Sequence, residues 1–221
     1  MNKLNLFNKV KKDYIKEEQE LLEMAYMKDG DFNFGHQIDD VKLAFENDKE
    51  EFKELIDTFS LNNELYRSFF YAGFIITKHI HKNIIVNVIG LLHNKLKGES
   101  KNKYGDSAFI VNTMFTEENF RKKGLSKHVI QNLINLGYPV MGDYLEYQNA
   151  RKLWVSLNGM KDYKMDIINK ETGKINMTGV KLENIYDKNL WFDIGYPKQF
   201  SGNLQKKIHN IIVNTRSIMY K

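Results

Sequence analysis

Apolar residues in the first sixty positions recur at about one helical turn. A first stripe, running from Phe7 to Ala25, predicts a helix that ends near Met27, before the polar run 28–31. A second stripe, from Val41 to Phe59, predicts another helix that Asp39 or Asp40 would cap. We therefore expect an N-terminal helix pair over residues 3–59.

The middle of the chain changes to a strand pattern. Residues 69–80 and 84–92 are rich in aromatic and β-branched side chains, and the three residues between them suit a hairpin. A polar, basic loop over 95–106 then leads to further predicted strands at 107–114 and 138–141.

Helical spacing returns in the second half. Predicted helices span 125–136, with Gly137 as a stop, and 144–157. A last hairpin is expected from strands at 163–168 and 174–180, with Gly173 at the turn. The tail predicts a basic helix, Leu204–Tyr220.

The element order is α-α-β-β-β-α-β-α-β-β, followed by an extension. This order predicts a mixed α/β (α+β) fold with a mostly antiparallel sheet flanked by helices, and it fits neither a doubly wound fold nor a barrel. We expect one domain over residues 1–190, with its core at 69–180, and a C-terminal helical extension over 191–221.

Composition narrows the class of protein. Hydrophobic residues make up 42% of the chain, which is typical of a globular domain. The chain contains no cysteine, which excludes disulfides, zinc–thiolate sites and thiol nucleophiles. No stretch approaches the roughly 18 apolar residues of a membrane-spanning helix. We expect a cytoplasmic protein with no membrane partner and no metal site.

The net charge of +5 conceals an uneven distribution. Residues 16–57 carry 14 acidic and 5 basic side chains, which leaves 28 basic against 14 acidic side chains elsewhere. A basic body can attract nucleotides, CoA or nucleic acid. A solvated lysine-rich surface explains the same charge, so charge alone does not choose among these.

The segment 115–127 carries the clearest chemical pattern. A predicted strand enters it and a predicted helix leaves it, so amides without intrahelical acceptors open the helix and favour a phosphate. Gly124 allows close backbone approach, and Ser126 is small. Positive potential comes from four nearby side chains, Arg121, Lys122, Lys123 and Lys127.

Two motifs resemble the GNAT N-acetyltransferase superfamily, in a divergent form. Arg121-x-x-Gly124-x-Ser126 is similar to the family's pyrophosphate signature, Gln/Arg-x-x-Gly-x-Gly/Ala, with Ser in the last place. The helix Ala150–Gly159 resembles the family's Ala-x-x-Leu-Tyr-x-x-Leu-Gly helix, with one extra residue before the Gly. The resemblance covers roughly half the chain, with the elements in the expected order.

The resemblance implies acetyl-CoA, or another short acyl-CoA, as cofactor. It implies a cleft where the strands 107–114 and 138–141 splay apart, with the pantetheine arm along 111–114. The implied cofactor-binding residues are Val111, Thr113, Met114, Arg121, Lys122, Lys123, Gly124, Leu125, Ser126 and Lys127.

The residues at the implied catalytic positions match the family pattern less closely. Trp154 stands where the family commonly has a tyrosine acid, and its indole is not a usable acid. Tyr144 and Tyr147 are the alternative proton donors, although packing is the favoured explanation for both. Asp143 is the candidate base, although Asp143-x-x-Glu146 has the spacing of a capping box, which is the favoured explanation.

Three functions follow from this reading. The first is an N-acyltransferase that moves an acyl group from CoA to an amine on a small molecule or protein. The second is a GNAT-fold binding protein without transfer, similar to divergent proteins of tailed phages, with a host or virion protein as partner in bacterial or host cytoplasm. The third, nucleic-acid binding or modification, rests only on the basic body and lacks a recognition motif.

Overall fold

The computed structural model describes residues 34–142, 148–183 and 215–221. The α-helices within these ranges are α1 (Phe34–Asn47), α2 (Gly98–Tyr104), α3 (Leu125–Asn135) and α4 (Gln148–Asn158). The strands are β1 (Glu54–Leu61), β2 (Glu64–Tyr71), β3 (Phe74–His79), β4 (Ile84–Lys95), β5 (Ser107–Thr116), β6 (Val140–Gly142), β7 (Lys164–Asn169), β8 (Ile175–Met177) and β9 (Thr215–Tyr220). The fold is therefore mixed α/β, and most of its strand pairs are antiparallel.

The chain divides into two compact units. The first contains Met1–Leu92 and Thr113–Val129, and the second contains His93–Asn112 and Ile130–Lys221. Strands β4 and β5 and helix α3 each contribute residues to both units. None of the helices in the described ranges is both long and apolar enough to cross a membrane.

Strands β1 to β4 of the first unit pair with their sequence neighbours, all antiparallel. Asn62 and Asn63 join β1 to β2 with φ angles of 52° and 62°, as in the type I′ turns that suit right-twisted hairpins. A similar turn at Ala72 and Gly73 joins β2 to β3, so the single predicted strand over 69–80 is in fact two.

The predicted second helix is shorter than expected. It ends at Asn47, and Glu54–Leu61 forms strand β1 instead of the last helical turns. Asp57, Phe59 and Leu61 also alternate with a two-residue period, and β2 pairs with this segment from Glu54↔Phe70 to Leu61↔Glu64, with one irregularity at Ile56. Long-range pairing therefore overrides the helical stripe. The other predicted helix of the pair, before Met27, lies outside the described residues.

Both faces of this sheet are covered. One buried cluster joins α1 to the strands and contains Ile38, Phe45, Tyr71, Ile76, Ile85 and Val88. The other contains Phe59, Tyr66, Val86, Phe120 and Leu125, and so joins the strands to the start of α3. The second cluster fixes where α3 begins.

In the second unit the strand order is β5-β6-β9-β7-β8. Strand β6 runs parallel to β5, whereas the other pairs are antiparallel. The predicted basic helix over 204–220 is wrong for its last six residues, because Thr215–Tyr220 pairs with both β6 and β7. Residues 216–219 are buried, as expected for a strand paired along both edges. Residues 204–214 lie outside the described ranges.

Several local predictions are confirmed. The helix expected at 125–136 is α3, and the helix expected at 144–157 is described from Gln148 to Asn158. The last hairpin is β7–β8, with Gly173 at a φ of 73°. The expected loop over 95–106 contains the short helix α2, whose Ser100 and Tyr104 are buried one helical turn apart.

Candidate functional site

The segment between β5 and α3 has the backbone of a ligand-binding turn. A short 3-10 helix over Glu118–Phe120 follows β5, and then Lys122 and Gly124 take positive φ angles of 63° and 89°. The His128 N–H donates to the Gly124 carbonyl across 2.9 Å, which makes Gly124 the N-cap of α3. The amides of Leu125 and Ser126 therefore precede the first intrahelical donor.

Two buried side chains fix the ends of this turn. Phe120 and Leu125 both belong to the cluster that includes Val86. Between them, Arg121, Lys122 and Gly124 are exposed. The sequence thus anchors the turn by an apolar residue on each side and leaves its backbone at the surface.

The four cations predicted at the turn have different surroundings. Arg121 donates from Nε to the Thr116 carbonyl across 3.1 Å, and the Lys122 side chain is exposed. Lys123 donates from Nζ to Glu64 Oε2 across 2.8 Å and lies 4.6 Å from the centre of the Phe120 ring. Lys127 is half-buried. Lys123 is therefore already held by a carboxylate.

Glu64 is an acid that sequence reasoning missed. The hydrogen bond from Lys123, and then that from the Tyr66 hydroxyl, lower the pKa of Glu64 to about 2. Tyr66 donates to Glu64 Oε2 across 2.5 Å, and burial together with this bond raises the pKa of Tyr66. Glu64 lies on β2 and is 59 residues away from Lys123, so no local pattern links them.

Asn87 is a second polar residue that the sequence analysis did not single out. It is fully buried on β4, and its Nδ2 lies 2.7 Å from the Phe115 carbonyl and 2.9 Å from both Thr116 Oγ1 and Ser126 Oγ. It therefore joins β4, the end of β5 and the first turn of α3. A lone asparagine inside the apolar run 84–92 was the available signal.

The predicted pantetheine segment is only partly open. Val111 is buried and pairs with Gly142, whereas Thr113 and Met114 are half-buried and lie beyond the residues of β5 that pair with β6. Strand β6 pairs with β5 along all three of its residues, from Phe109↔Val140 to Val111↔Gly142. The expected divergence of these two strands is therefore not seen as far as Gly142.

The predicted catalytic residues Asp143, Tyr144 and Tyr147 lie outside the described residues. Trp154, in contrast, is described and buried, with 2% of its surface exposed. Its indole is therefore a core side chain rather than a group presented to substrate.

Two other polar features occur away from the turn. An open groove of about 540 Å³ is lined by α1 and the β2–β3 region, but its Lys53 and Lys78 face Glu50 and Glu46 at 3.0 and 4.0 Å. In the second unit, buried Asp166 accepts hydrogen bonds from Lys103, from the hydroxyls of Tyr104 and Tyr220, and from the Gly179 N–H. The charge of Asp166 is compensated within its cluster, and four of the five charged side chains that line the groove pair with one another, so the turn at Gly124 is the stronger candidate site.

Two comparisons with known proteins identify no family for this chain. A scan against protein-family models found no match, and a search of curated proteins found none either.

Proposed function

We propose that the protein binds the diphosphate of an acyl-CoA at the Arg121–Lys127 turn and transfers the acyl group to an amine. The observation that carries the proposal is the exposed Gly124 N-cap, which follows a non-glycine residue, Lys122, at a φ of 63°. A left-handed conformation costs a non-glycine residue about 1–2 kcal/mol. Strain of this kind is concentrated at ligand-binding sites.

The turn offers three kinds of attraction to a diphosphate. The first-turn amides of α3 have no intrahelical acceptors, and the helix dipole adds about half a positive charge. Arg121 and Lys122 are exposed cations next to these amides. Thr113 and Met114, which are half-buried at the end of β5, would lie along the pantetheine arm.

The reaction would follow the chemistry of acyl transfer. The amine nitrogen attacks the thioester carbonyl carbon, the new C–N bond forms, and the C–S bond breaks to release CoA. The amine loses one proton and the CoA sulfur gains one, with Asp143 as the candidate base and Tyr144 or Tyr147 as candidate donors. Holding the thioester and the amine together would supply much of the rate acceleration.

A second candidate is a protein that binds acyl-CoA without transferring the acyl group. The observation that favours it is the burial of Trp154. In the GNAT family, which this chain resembles, that position commonly holds the tyrosine acid, whereas here it holds a core side chain that cannot act as an acid. On this interpretation a host or virion protein would be the partner. Transfer remains our first proposal because a CoA thiolate is a tolerable leaving group without a dedicated acid.

Ligand-induced stabilisation tests binding. Acetyl-CoA at about 100 times its Kd should stabilise the fold by about 2.7 kcal/mol. For a chain of this length that raises the Tm by roughly 5–10 °C. Gly124→Asp adds a negative charge at the turn and should abolish the shift.

Gly105→Asp is the matched control. Gly105 has a φ of 94°, close to the 89° of Gly124, and a Cβ at Gly105 would meet nothing within 4 Å. Both variants therefore place the same charge at a glycine of positive φ, but only one of them is at the turn. An unchanged wild-type Tm with acetyl-CoA, or equal shifts in the two variants, would contradict the proposal.

Turnover separates the two candidates. Release of free CoA thiol from acetyl-CoA, measured against a panel of amines and lysine-containing proteins, is expected for a transferase. A thermal shift without amine-dependent thiol release would favour the binding protein.

A further inference from the structure

Asn87 makes an unusual set of contacts for a residue in the middle of a strand. It lies at an irregularity of the β3–β4 ladder, where Thr77 pairs with Asn87 and Lys78 with Ile85, so that Val86 is the extra residue. At this position Asn87 shares a face with the start of α3. Its amide nitrogen has three acceptors within 2.9 Å but only two hydrogens.

The direction of these hydrogen bonds can be assigned. The Phe115 carbonyl can only accept, and therefore the Asn87 atom that contacts it at 2.7 Å must be the amide nitrogen. The second hydrogen of this nitrogen is shared between Thr116 Oγ1 and Ser126 Oγ, both at 2.9 Å, and an amide nitrogen cannot accept, so the Ser126 hydroxyl does not donate to it. The hydroxyl hydrogen of Ser126 is then left to donate elsewhere.

Within the described residues, that hydrogen has no short acceptor. Thr116 Oγ1 is 3.4 Å from Ser126 Oγ, whereas hydroxyl hydrogen bonds in proteins centre near about 2.7–2.8 Å. Ser126 is half-exposed in the first turn of α3, where amides and the helix dipole favour an anion. A phosphate oxygen bound at the start of α3 would accept this hydrogen bond.

The buried end of Asn87 supports a functional role for the residue. Its Oδ1 is buried and has no hydrogen-bond partner in the described part of the chain. Leaving a buried acceptor unsatisfied costs stability, which an apolar residue at this position would avoid. The donor end of Asn87 is therefore the part that accounts for an asparagine here.

We propose that Asn87 is a positioning residue that turns the Ser126 hydroxyl outward, so that it donates a hydrogen bond to a phosphate oxygen of the ligand. This inference rests on the proposed function, because it names how that same turn recognises a diphosphate. Ser126 makes the contact with the ligand, and Asn87 acts through Ser126.

A double-mutant cycle tests the coupling, with CoA and inorganic pyrophosphate as probes in isothermal titrations. Ser126→Ala removes the donor and should weaken the binding of both probes about five- to tenfold, as expected for the loss of one charge-assisted hydrogen bond. Asn87→Leu should weaken them by a similar factor. In the Ser126→Ala background, Asn87→Leu should cause no further loss, because the group through which it acts is already gone.

Two further variants make the test independent of how well Asn87→Leu folds. Ser126→Thr keeps the hydroxyl and should retain affinity within about twofold. Thr77→Val is the matched control, because Thr77 is the cross-strand partner of Asn87, is equally buried and hydrogen-bonds Ser68 rather than the turn. It should leave the binding of both probes unchanged.

The possible results separate this inference from the function on which it rests. Wild-type protein that binds neither probe would overturn the proposed function, and this assignment with it. Wild-type binding that Ser126→Ala leaves intact would overturn the inference alone. The inference would also be overturned if Asn87→Leu lowered the affinity by the same factor in the Ser126→Ala background as in the wild type.

Discussion

Lys123 and Glu64 form an ion pair of 2.8 Å that connects the candidate ligand turn to the second strand of the sheet. The pair is reinforced on each side, since Lys123 also contacts the Phe120 ring and Glu64 also accepts from Tyr66. The hairpin turn adds a third connection, because the Asn62 side chain donates to the Lys123 carbonyl across 3.2 Å. The conformation of the turn therefore depends on residues that are about 60 positions away.

This pair predicts that Glu64 weakens ligand binding. Glu64→Gln removes the negative charge and frees Lys123 for a phosphate, so we expect the affinity for acetyl-CoA to rise about two- to fivefold at low ionic strength. The gain should shrink as salt is added. Titration of acetyl-CoA at two salt concentrations measures both effects.

The control for this prediction is Glu50→Gln. Glu50 pairs with Lys53 at 3.0 Å in the same unit, but this pair has no contact with the turn. Loss of the Glu50–Lys53 pair should leave the affinity for acetyl-CoA unchanged. Weaker binding by Glu64→Gln would mean instead that the ion pair maintains the conformation the ligand requires.

Local patterns were sufficient for α3 and for the turn before it. Leu125, Val129 and Leu133 are buried at helical spacing, and the predicted close approach at Gly124 coincides with a φ of 89°. The residues that form these patterns lie within about ten positions of one another. Single-sequence reasoning therefore finds the helix and the turn, although the contacts of the turn with Asn62 and Glu64 are distant.

The errors arise where distant pairing decides the structure. The segment 54–61 satisfies a helical and a strand period at once, and β2 selects the strand. Thr215–Tyr220 is a strand because β6 and β7 pair with its two edges. In the candidate site, Glu64 and Asn87 were missed for the same reason, since their roles depend on contacts across the sheet.

The turn between β7 and β8 predicts a large loss of stability from one methyl group. A Cβ at Gly173 would lie 1.8 Å from the Lys97 carbonyl oxygen, and the Gly173 carbonyl itself accepts from the Ser100 N–H. The backbone at Lys97 would have to move, so Gly173→Ala should lower the free energy of unfolding by at least about 3 kcal/mol. Urea denaturation measures this change.

Gly179→Ala distinguishes the clash from backbone strain. Gly179 also has a positive φ, 61°, but a Cβ there would meet nothing within 4 Å. That variant should cost only about 1–2 kcal/mol, the cost of a left-handed alanine. Equal losses at the two positions would show that the contact with Lys97 does not contribute.

The buried carboxylate of Asp166 predicts how stability depends on pH. Burial alone would raise the pKa of Asp166, but the hydrogen bonds from Lys103, Tyr104 and the Gly179 N–H outweigh it and lower the pKa below the ordinary value of 3.8. The charged form is therefore favoured in the folded state. Its stabilisation is fully present above about pH 4 and is lost as the pH falls through the folded pKa.

Asp166→Asn should reveal this dependence in urea denaturation between pH 7 and pH 2. At pH 7 we expect a loss of about 2–4 kcal/mol, because one partner of a buried ion pair is removed while Lys103, which is 35% exposed, can still reach water. Below about pH 4 the difference from wild type should shrink, since the unfolded wild-type chain then binds a proton at Asp166 that the folded protein takes up only at a lower pH. Asp106→Asn is the control: Asp106 pairs with Lys101 at 3.0 Å but is 78% exposed, so the change should be under about 1 kcal/mol. An Asp166→Asn difference that stays constant down to pH 2 would mean that packing, rather than charge, holds this cluster together.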